Sequence, residues 1–272
     1  MQPAIRTIIV HALAEDIGAG DVTSAATIPA GARGKFHLAA REEMVVCGLD
    51  VARGVFAQLS PAIRFETFCS EGDVVKAGTK LAEIEGEVAP ILAGERVALN
   101  LMQRMSGVAT VTRQYVQAVA GTKAIIRDTR KTIPGLRILD KYAVLTGGGQ
   151  NHRMRLDDAV LIKDNHIAMC GGIAQAVTSA KKQRLPVTVE CDTLPQLEAA
   201  LAAGADAVLL DNMPPELLRQ AVQINAGRVK LEASGGVTLK NVRAIAETGV
   251  DYIAIGALTH SVRAVDIGLD DA

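Results

Sequence analysis

The sequence predicts an α/β fold, and three observations support that prediction. In the second half of the chain, short aliphatic runs alternate with helical segments in six strand-then-helix units, the rhythm of parallel βαβ units. Hydrophobic residues make up 49% of the 272 residues but aromatic residues only 3%, as is typical of aliphatic strands buried on both faces. Polar residues lie at the carboxyl ends of the predicted strands, where α/β barrels gather functional groups. We therefore expect an α/β barrel.

The alternative, a doubly wound Rossmann sheet, lacks its sequence signature. Such a sheet would carry a GxGxxG motif directly after its first strand. The glycine-rich segment TGGGQNH at 146–152 follows a predicted helix and does not have that spacing. The barrel is therefore the better interpretation of the repeat.

Residues 1–90 follow a different pattern, with short strand-like runs separated by turns. The first residues, MQPAIRTIIVHALAEDIGAGD, predict an amphipathic helix because charged side chains interrupt the apolar run. The runs at 34–48 and 63–88 predict a small sheet. Within the second run, EGDVVKAGTKLAEIEG resembles half of a biotinyl or lipoyl carrier, but no lysine follows at a hairpin tip, so a structural sheet is the better interpretation. A helix is predicted over 93–120.

Each strand of the later repeat is a short apolar run that is followed by a segment of helical periodicity. The strands are predicted at 124–128, 159–165, 187–192, 207–212, 229–236 and 251–257. The helices between them are predicted at 135–145, 173–182, 195–203, 215–225 and 239–248. Because strand and helix alternate regularly, we expect the strands to be parallel.

The bulk composition excludes several classes of protein. The chain carries 29 basic and 30 acidic side chains and no tryptophan, which argues against a nucleic-acid-binding surface. Its four cysteines form no CxxC pair, so reduced cytosolic thiols are expected. The N-terminus lacks the basic region of a signal peptide, and no apolar stretch is long enough to span a bilayer. We predict a soluble cytoplasmic protein with neither a nucleic-acid nor a membrane partner.

Positive charge is concentrated in one stretch of this otherwise neutral chain, residues 127–166. Arg130, Arg153 and Lys163 lie in three loops that a barrel would bring together, and such a cluster indicates a small polyanionic ligand. Arginine presents a planar fork that suits carboxylates, and lysine presents a compact charge. Cations that face one pocket are costly to hold together unless an anion fills it. The alternative interpretation is that each cation is a solvated surface residue. This alternative explains any single one of the three residues better than it explains the cluster.

Two carboxylates complement this cluster. Glu190 and Asp211 lie alone at the ends of apolar strands, where a buried charge is costly without a partner. Hard oxygen ligands of this kind suit Mg²⁺ that is bridged to a diphosphate and keeps several waters. The alternative interpretation is a structural ion pair with a lysine at the same rim.

Two late loops contain the small residues of phosphate-binding turns. EASGGV at 232–237 and IGALTHS at 255–261 each follow a late strand, the position at which barrels commonly hold phosphate. His152 and His260 neighbour glycine-rich segments, and either a structural or a ligand-binding role is open to them. Lys163 has a rival interpretation as the Schiff-base lysine of a barrel aldolase, but the charged residues around it favour anion binding.

Taken together, these segments resemble the quinolinate phosphoribosyltransferases, the decarboxylating enzymes of NAD biosynthesis. The resemblance extends from Leu13 to Leu269, and its segments occur in this order: ERVALNLMQRMSGVAT (95–110), RDTRKTIPGLRILDKYAV (127–144), GGGQNHR (147–153), VLIKDNHI (160–167), VECD (189–192), LLDN (209–212), LEASGGV (231–237) and TGVDYIAIGALTHSV (248–262). It implies an N-terminal α/β sandwich at 1–105 and an incomplete, open α/β barrel at 106–272, with a C-terminal tail that packs back on the first domain.

The resemblance also implies an activity and a set of site residues. Members of the family transfer the phosphoribosyl group of phosphoribosyl pyrophosphate (PRPP) to quinolinate and release pyrophosphate and CO₂, giving nicotinate mononucleotide. Carried over by position, the residues that hold the quinolinate carboxylates would be Arg130, His152, Arg153 and Lys163. The catalytic set would be Lys131, Glu190 and Asp211. The two acids of that set would also bind Mg²⁺ with PRPP, and no organic cofactor is implied. The ribose phosphate would be held by Ser234, Gly235, Gly256 and His260.

The family works as at least a dimer, so a homodimer or a hexamer of dimers is implied, in which Arg96 completes the site of the neighbouring subunit. The sequence departs from the family pattern in two places. Ala233 replaces a serine that is often found before SGG, and this is expected to weaken one phosphate contact. Met154 and Arg155 replace an apolar–glycine pair after NHR, and they are expected to point outward.

Two further interpretations use the same scaffold. The paralogous protein of molybdate transport operons diverges in the pyridine-dicarboxylate pocket, whereas this chain keeps the full DTRK, NHR and IKDNH set. A non-catalytic sensor of NAD precursors would be indicated by loss of Glu190 or Asp211, and both residues are present. The enzyme is therefore the favoured interpretation.

Overall fold

The structure, a computed structural model, describes residues 2–271 and shows the alternation of strands and helices that the sequence predicts. The α-helices are α1 (Pro3–Ile17), α2 (Val22–Thr27), α3 (Leu49–Leu59), α4 (Val88–Ala118), α5 (Arg137–Thr146), α6 (Asp164–Cys170), α7 (Ile173–Ala180), α8 (Leu194–Ala202), α9 (Pro215–Asn225), α10 (Val242–Ala246) and α11 (Ala257–His260). The strands are β1 (Arg33–Ala40), β2 (Met44–Val45), β3 (Arg64–Thr67), β4 (Val74–Val75), β5 (Lys80–Glu87), β6 (Ile125–Arg127), β7 (Val160–Ile162), β8 (Val187–Cys191), β9 (Ala207–Asp211), β10 (Lys230–Ser234), β11 (Tyr252–Ala254) and β12 (Ile267–Asp271).

The chain divides into two compact units. The first comprises the residues up to 113, residues 132–148 and the residues from 259 onward, and the second comprises residues 114–131 and 149–258. The predicted domain boundary between residues 105 and 106 lies inside α4 and stays a prediction.

The first unit is built around a four-stranded antiparallel sheet with the order β12-β1-β5-β3. The sheet predicted over 63–88 is therefore present, whereas the sequence analysis does not predict α2 and α3. The carboxylate of Glu71 accepts hydrogen bonds from the backbone N–H groups of Gly48 (2.9 Å) and Leu49 (2.7 Å) at the start of α3. These bonds satisfy donors that a helix N-terminus leaves without an intrahelical partner.

The second unit contains six parallel strands in the order β6-β11-β10-β9-β8-β7. The pairings run continuously from β6 to β7, and these two strands are the edges of the sheet. The predicted parallel strands and open α/β barrel are therefore confirmed. The strands are shorter than the predicted ranges, in part because Asp128, Lys163 and Asn212 lie in the segments that follow β6, β7 and β9.

The six-stranded sheet has two chemically different faces, because successive side chains of a strand alternate in direction. The outer face packs on α7 and α8 and carries aliphatic side chains. Val189, Val208 and Leu231 are aligned across three strands of this face and are at most 1% exposed. Burial of each such side chain contributes about 1.5 to 3 kcal/mol, so this face supplies the core of the unit.

Across residues 2–271, no helix combines the length and the apolar character that a membrane span requires.

Candidate active site

One row of side chains crosses the inner face of the parallel sheet. The register of β8, β9, β10 and β11 aligns Glu190, Leu209, Glu232 and Tyr252. Lys163 directly follows β7 and extends the row beyond β8. Side chains aligned across parallel strands point to the same face. The fold thereby brings ionisable groups that are far apart in sequence to one side of the sheet.

Lys163 and Glu190 form an ion pair at the open end of this row. The Nζ atom of Lys163 lies 2.5 Å from Oε2 of Glu190, and the two side chains are 45% and 15% exposed. The backbone N–H of Lys163 donates to Nδ1 of His166 at 3.1 Å, which fixes the backbone at the start of α6. The ion pair with a rim lysine, which is the alternative interpretation of Glu190, is thus observed. An exposed pair of this kind is worth at most about 1 kcal/mol, so a charged ligand can replace either partner.

Arg127 and Glu232 form a second ion pair, which is buried more deeply. Nη1 of Arg127 donates to Oε2 of Glu232 at 3.1 Å, and the guanidinium lies 3.6 Å from the centroid of the Tyr252 ring. Burial raises the pKa of Glu232, although Arg127 opposes that shift. The cost of removing this carboxylate from water therefore exceeds the attraction of the single guanidinium.

His152 is held between the first strand of the sheet and this buried carboxylate. Its backbone N–H donates to Oδ1 of the buried Asp128 at 2.8 Å, and its Nδ1 accepts from the backbone N–H of Arg153 at 2.7 Å. A neutral imidazole that accepts at Nδ1 carries its proton on Nε2. Nε2 lies 3.6 Å from Oε1 of Glu232. Both ring nitrogens thus face protein groups. This arrangement indicates that His152 supports neighbouring residues of the site in addition to any contact with substrate.

Arg130 and Arg153 lie close enough to influence one another. Burial, and then the charge of Arg130, lower the pKa of Arg153. Nη1 of Arg153 donates to the backbone carbonyl of Ala159 at 2.9 Å, which is a neutral partner. The two guanidinium groups therefore form a concentration of positive charge that a ligand anion would stabilise.

Within the described part of the chain, three buried side-chain polar atoms have no hydrogen-bond partner: Nε of Arg127, Nε of Arg130 and Oε1 of Glu232. Arg127 ends β6, Arg130 lies in the loop after β6, and Glu232 is the central residue of β10 on the inner face. Buried polar atoms without a partner are rare in folded proteins and call for an explanation such as a bound ligand or water. Their concentration here marks the carboxyl end of the sheet as the functional region.

Asp211 ends β9 and is aligned with Ser234 at the end of β10. Its Oδ2 accepts a hydrogen bond from the side-chain amide of Asn212 at 2.7 Å. The backbone N–H of Asn212 donates to the carbonyl oxygen of Ser234 at 2.9 Å. Asn212 therefore connects the predicted acid to the predicted phosphate-binding loop, in which Gly235 follows Ser234.

A cavity of about 520 Å³ lies beside β7 in the second unit and is lined mainly by apolar side chains, with Arg153 and His166 among its lining residues. Arg153 lines this cavity, whereas Arg130 and Lys163 do not, and its residues Val160 and Ile162 belong to the outer face of the sheet.

The remaining predicted residues lie in both units. Lys131 is exposed in the loop after β6, where its backbone N–H donates to Oγ1 of Thr129 at 3.0 Å, and Gly256 directly follows β11. Arg96 lies in the first unit on α4 with 58% of its side chain exposed. His260 ends α11 in the first unit, with Nδ1 2.6 Å from Oγ of Ser261.

The two departures from the family pattern have different positions. Ala233 is 2% exposed and is aligned with Leu210 and Ile253 of the outer face. A serine hydroxyl there would point away from the inner face, so the expected loss of a phosphate contact is not supported. Arg155 is exposed and pairs with Asp157 at 3.1 Å, as expected, whereas Met154 is half-buried.

The sequence analysis missed the functional context of Arg127, Glu232, Tyr252 and Asn212. All four lie in the segments that were singled out, but their roles depend on pairing between strands. The available signal was the pattern of alternation: Glu232 lies two residues before Ser234 on the same strand, and so shares its face.

The carboxylates of Glu190 and Asp211 suit Mg²⁺. Glu190 is aligned with Leu209, two residues before Asp211, so both acids face the same side of neighbouring strands. No group of three or more potential metal-binding side chains occurs in residues 2–271. Mg²⁺ is commonly held by one or two carboxylates while substrate phosphates and water complete its shell. The residues therefore fit an ion that arrives with a phosphorylated substrate.

The chain resembles curated proteins along nearly all of its length. It is 47% identical over 275 residues to the nicotinate-nucleotide pyrophosphorylase [carboxylating] of Mycobacterium leprae, covering 98% of this chain and 97% of that protein. It is 42% identical over 269 residues to the probable nicotinate-nucleotide pyrophosphorylase [carboxylating] of Bacillus subtilis, covering 98% of this chain and 93% of that one.

Solved structures agree with these relatives. The nicotinate-nucleotide pyrophosphorylase of Francisella tularensis superposes with a TM-score of 0.95 at 43% identity, over 99% of this chain and 96% of that one. The nicotinate-nucleotide pyrophosphorylase of Ehrlichia chaffeensis superposes with a TM-score of 0.95 at 44% identity, over the whole of both chains. Models of the N-terminal and C-terminal domains of quinolinate phosphoribosyl transferase match residues 21–106 and 108–270. The chain belongs to the quinolinate phosphoribosyltransferase family.

Proposed function

We propose that the protein transfers the phosphoribosyl group of PRPP to quinolinate with decarboxylation, giving nicotinate mononucleotide, pyrophosphate and CO₂ for NAD synthesis. The observation that carries the proposal is the pair of guanidinium groups of Arg130 and Arg153: Nε of Arg130 is buried without a hydrogen-bond partner, and burial, followed by the charge of Arg130, lowers the pKa of Arg153. Such a pair is stabilised by an anionic ligand. Quinolinate supplies two carboxylates, which match these cations.

Quinolinate is bound by Arg130, Arg153 and Lys163. The two arginines offer planar forks to the carboxylates, and Lys163 offers a point charge once its pair with Glu190 opens. His152 supports this arrangement through its contacts with Asp128 and with the backbone of Arg153. The loop that contains Arg153 is thereby held in position before substrate enters.

PRPP is bound at the neighbouring strand ends. Lys131 contacts its phosphates, and the loops that begin at Ser234, Gly235 and Gly256, together with His260, receive the ribose phosphate. Glu190 and Asp211 would hold the Mg²⁺ that accompanies PRPP. This ion would supply positive charge against the negative charge that develops on the departing pyrophosphate.

The chain contributes chiefly positioning and electrostatics to the reaction. Loss of pyrophosphate leaves positive charge on the ribose, which carboxylates on the inner face stabilise. The quinolinate nitrogen then attacks this centre, and the resulting pyridinium accepts the electron pair of the bond to the adjacent carboxylate, which departs as CO₂. A proton replaces the CO₂ on the ring carbon. Arg130 and Arg153 keep the ring oriented throughout, and exclusion of water prevents hydrolysis of the activated ribose.

Arg96 completes the site of a second copy of the chain in a homodimer or in a hexamer of dimers. Support comes from its position on an exposed face of α4, where its nearest carboxylate, Glu95, is 4.0 Å away. Mixing Arg96→Ala with Arg130→Ala protein is expected to restore activity through heteromers that contain one intact site. Lack of recovery despite demonstrated subunit exchange would contradict the shared site.

The cytoplasm is the proposed compartment, and free cysteines support it: Cys47, Cys69, Cys170 and Cys191 are all unpaired thiols. The Schiff-base alternative for Lys163 loses support because its Nζ atom contacts Oε2 of Glu190 at 2.5 Å, whereas a nucleophilic lysine needs its nitrogen available to attack a carbonyl carbon.

The direct test is an assay of purified protein with quinolinate, PRPP and Mg²⁺ for formation of nicotinate mononucleotide. We expect product, and none when nicotinate replaces quinolinate, because nicotinate lacks the second carboxylate. Absence of product from folded protein that still binds quinolinate would instead favour a sensor of NAD precursors. Absence of binding would favour the paralogous protein of molybdate transport operons.

A further inference from the structure

Asn212 adopts a backbone conformation that residues other than glycine rarely adopt. Among residues 2–271, three non-glycine residues have positive φ: Arg184, Asn212 and Ala226. Arg184 and Ala226 end helical segments, where the left-handed conformation is a common way to stop a helix. Asn212, with φ of 54°, instead follows Asp211 at the end of a strand. Left-handed residues away from helix ends often mark functional sites.

Two hydrogen bonds hold Asn212 in this conformation. Its side-chain amide donates to Oδ2 of Asp211 at 2.7 Å, and its backbone N–H donates to the carbonyl oxygen of Ser234 at 2.9 Å. One residue therefore connects a carboxylate of the candidate site to the loop after the next strand.

Gly235 leaves the space that this connection needs. A Cβ atom added to Gly235 would lie 2.1 Å from Oδ1 and 2.8 Å from the backbone nitrogen of Asn212. The φ of Gly235 is +88°, a conformation that also favours glycine. The amide of Asn212 and the backbone of Gly235 thus fit against each other without room for a side chain.

We propose that Asn212 is a positioning residue, which orients the carboxylate of Asp211 and sets the Ser234–Gly235 loop against it, so that both engage PRPP together. The inference rests on the proposed role of Asp211 in PRPP binding. Because the amide occupies Oδ2, the carboxylate is held in one orientation before the substrate arrives. The strained backbone conformation of Asn212 is tolerated because it sets the Asp211 carboxylate and the Ser234–Gly235 loop against each other.

The test compares Asn212→Gly and Asn212→Asp with the control Ala226→Gly. Glycine relieves the strained conformation but removes the amide, whereas aspartate tolerates positive φ but places a carboxylate beside Asp211. We expect both Asn212 variants to raise KM for PRPP about tenfold or more, the loss expected for a hydrogen bond to a charged group. KM for quinolinate and quinolinate binding by calorimetry should stay within about twofold of the wild type, a change below the scale of one hydrogen bond. Ala226→Gly relieves a similar strain at an exposed position and should change neither KM.

Thermal unfolding distinguishes positioning from a structural role. Asn212→Gly should unfold at the same temperature as the wild type or higher, because strain is removed. A wild-type KM for PRPP in Asn212→Gly, an equal loss of quinolinate binding, or a lower unfolding temperature for both variants would each overturn the inference. An inactive wild-type protein would overturn the proposed function, and this inference with it.

Discussion

The two ion pairs of the inner face have the same chemistry but differ in burial. Arg127 and Glu232 are 24% and 5% exposed, and the guanidinium also lies against the Tyr252 ring. Lys163 and Glu190 are 45% and 15% exposed. Burial raises the pKa of the Glu232 carboxyl group.

The comparison teaches that burial separates groups that maintain the site from groups that are available to ligands. A carboxylate enclosed with its guanidinium cannot exchange partners without leaving a buried charge uncompensated. A pair at the open end of the strand row exchanges partners at little cost, because water and ligand both reach it. We therefore expect substitutions in the first pair to affect stability and substitutions in the second to affect binding.

The largest effect on stability is expected from Glu232→Ala. This change leaves the Arg127 guanidinium without its carboxylate and opens a cavity, and breaking a buried pair from one side costs about 3 kcal/mol or more. Glu232→Gln should cost less, because it keeps the shape and an acceptor. Urea unfolding of both variants beside Glu190→Ala measures the difference. A loss in Glu232→Ala no larger than that in Glu190→Ala would contradict the distinction between the pairs.

The largest effect on catalysis is expected from Lys163→Ala. Loss of a charge-assisted hydrogen bond to a substrate carboxylate should lower kcat/KM for quinolinate about 10- to 100-fold, with little change in unfolding free energy. Lys230→Ala is a matched control, because Lys230 forms an exposed ion pair with Asp251 at 2.9 Å in the same unit. Equal losses of activity in both variants would indicate a general effect of lysine removal.

A smaller effect is expected from Glu190→Gln on the binding of quinolinate alone. In the resting protein Glu190 competes with substrate for the Lys163 ammonium. Its neutralisation should tighten quinolinate binding a few-fold in the absence of PRPP, an effect of about 1 kcal/mol or less for an exposed pair. Turnover should fall in the same variant. Calorimetric titration with quinolinate measures the first effect, and an unchanged or weaker affinity would show that the two groups do not compete.

The smallest effect concerns pH. Because burial raises the pKa of Glu232, the folded protein binds this proton more tightly than the unfolded chain does. The stabilisation that this group contributes is then lost as the pH rises from its pKa in the unfolded chain, about 4.3, through its higher pKa in the folded protein. The free energy of unfolding of the wild type should therefore fall relative to that of Glu232→Gln over this range. Urea unfolding at a series of pH values measures the difference in free energy of unfolding between the two proteins. A difference that does not change with pH would contradict a raised pKa of Glu232.

The outer face and the inner face also differ in how well the sequence predicts them. The aliphatic runs around Val189, Val208 and Leu231 predict strands directly, since each strand buries apolar side chains whatever its neighbour is. The motifs place both Lys163 and Glu190 at strand ends, and a rim ion pair is among the interpretations that they allow. The chemistry of the site is therefore largely visible in the motifs.

What the sequence does not reveal depends on contacts between distant segments. The partnership of Arg127 with Glu232 requires the order and register of β6, β11 and β10. The conformation of Asn212 depends on a carbonyl oxygen in another strand. Helices α2 and α6 have 6 and 7 residues, so their periodicity is too brief to stand out from the surrounding loops. Helix α3 has 11 residues, as many as the predicted α9, so its length does not account for its absence from the prediction.

The pairing of β12 with β1 has a consequence for the synthesis of the chain. Arg41 and Asp270, which form a hydrogen-bonded ion pair beside these strands, are 229 positions apart. At ribosomal rates, β1 waits about 10 to 50 s for the partner that covers its edge. During that interval the residues of the six-stranded sheet emerge in full, while the four-stranded sheet has an open edge that another chain can pair with. The nascent first unit is thus the part of the molecule for which chaperone protection matters most.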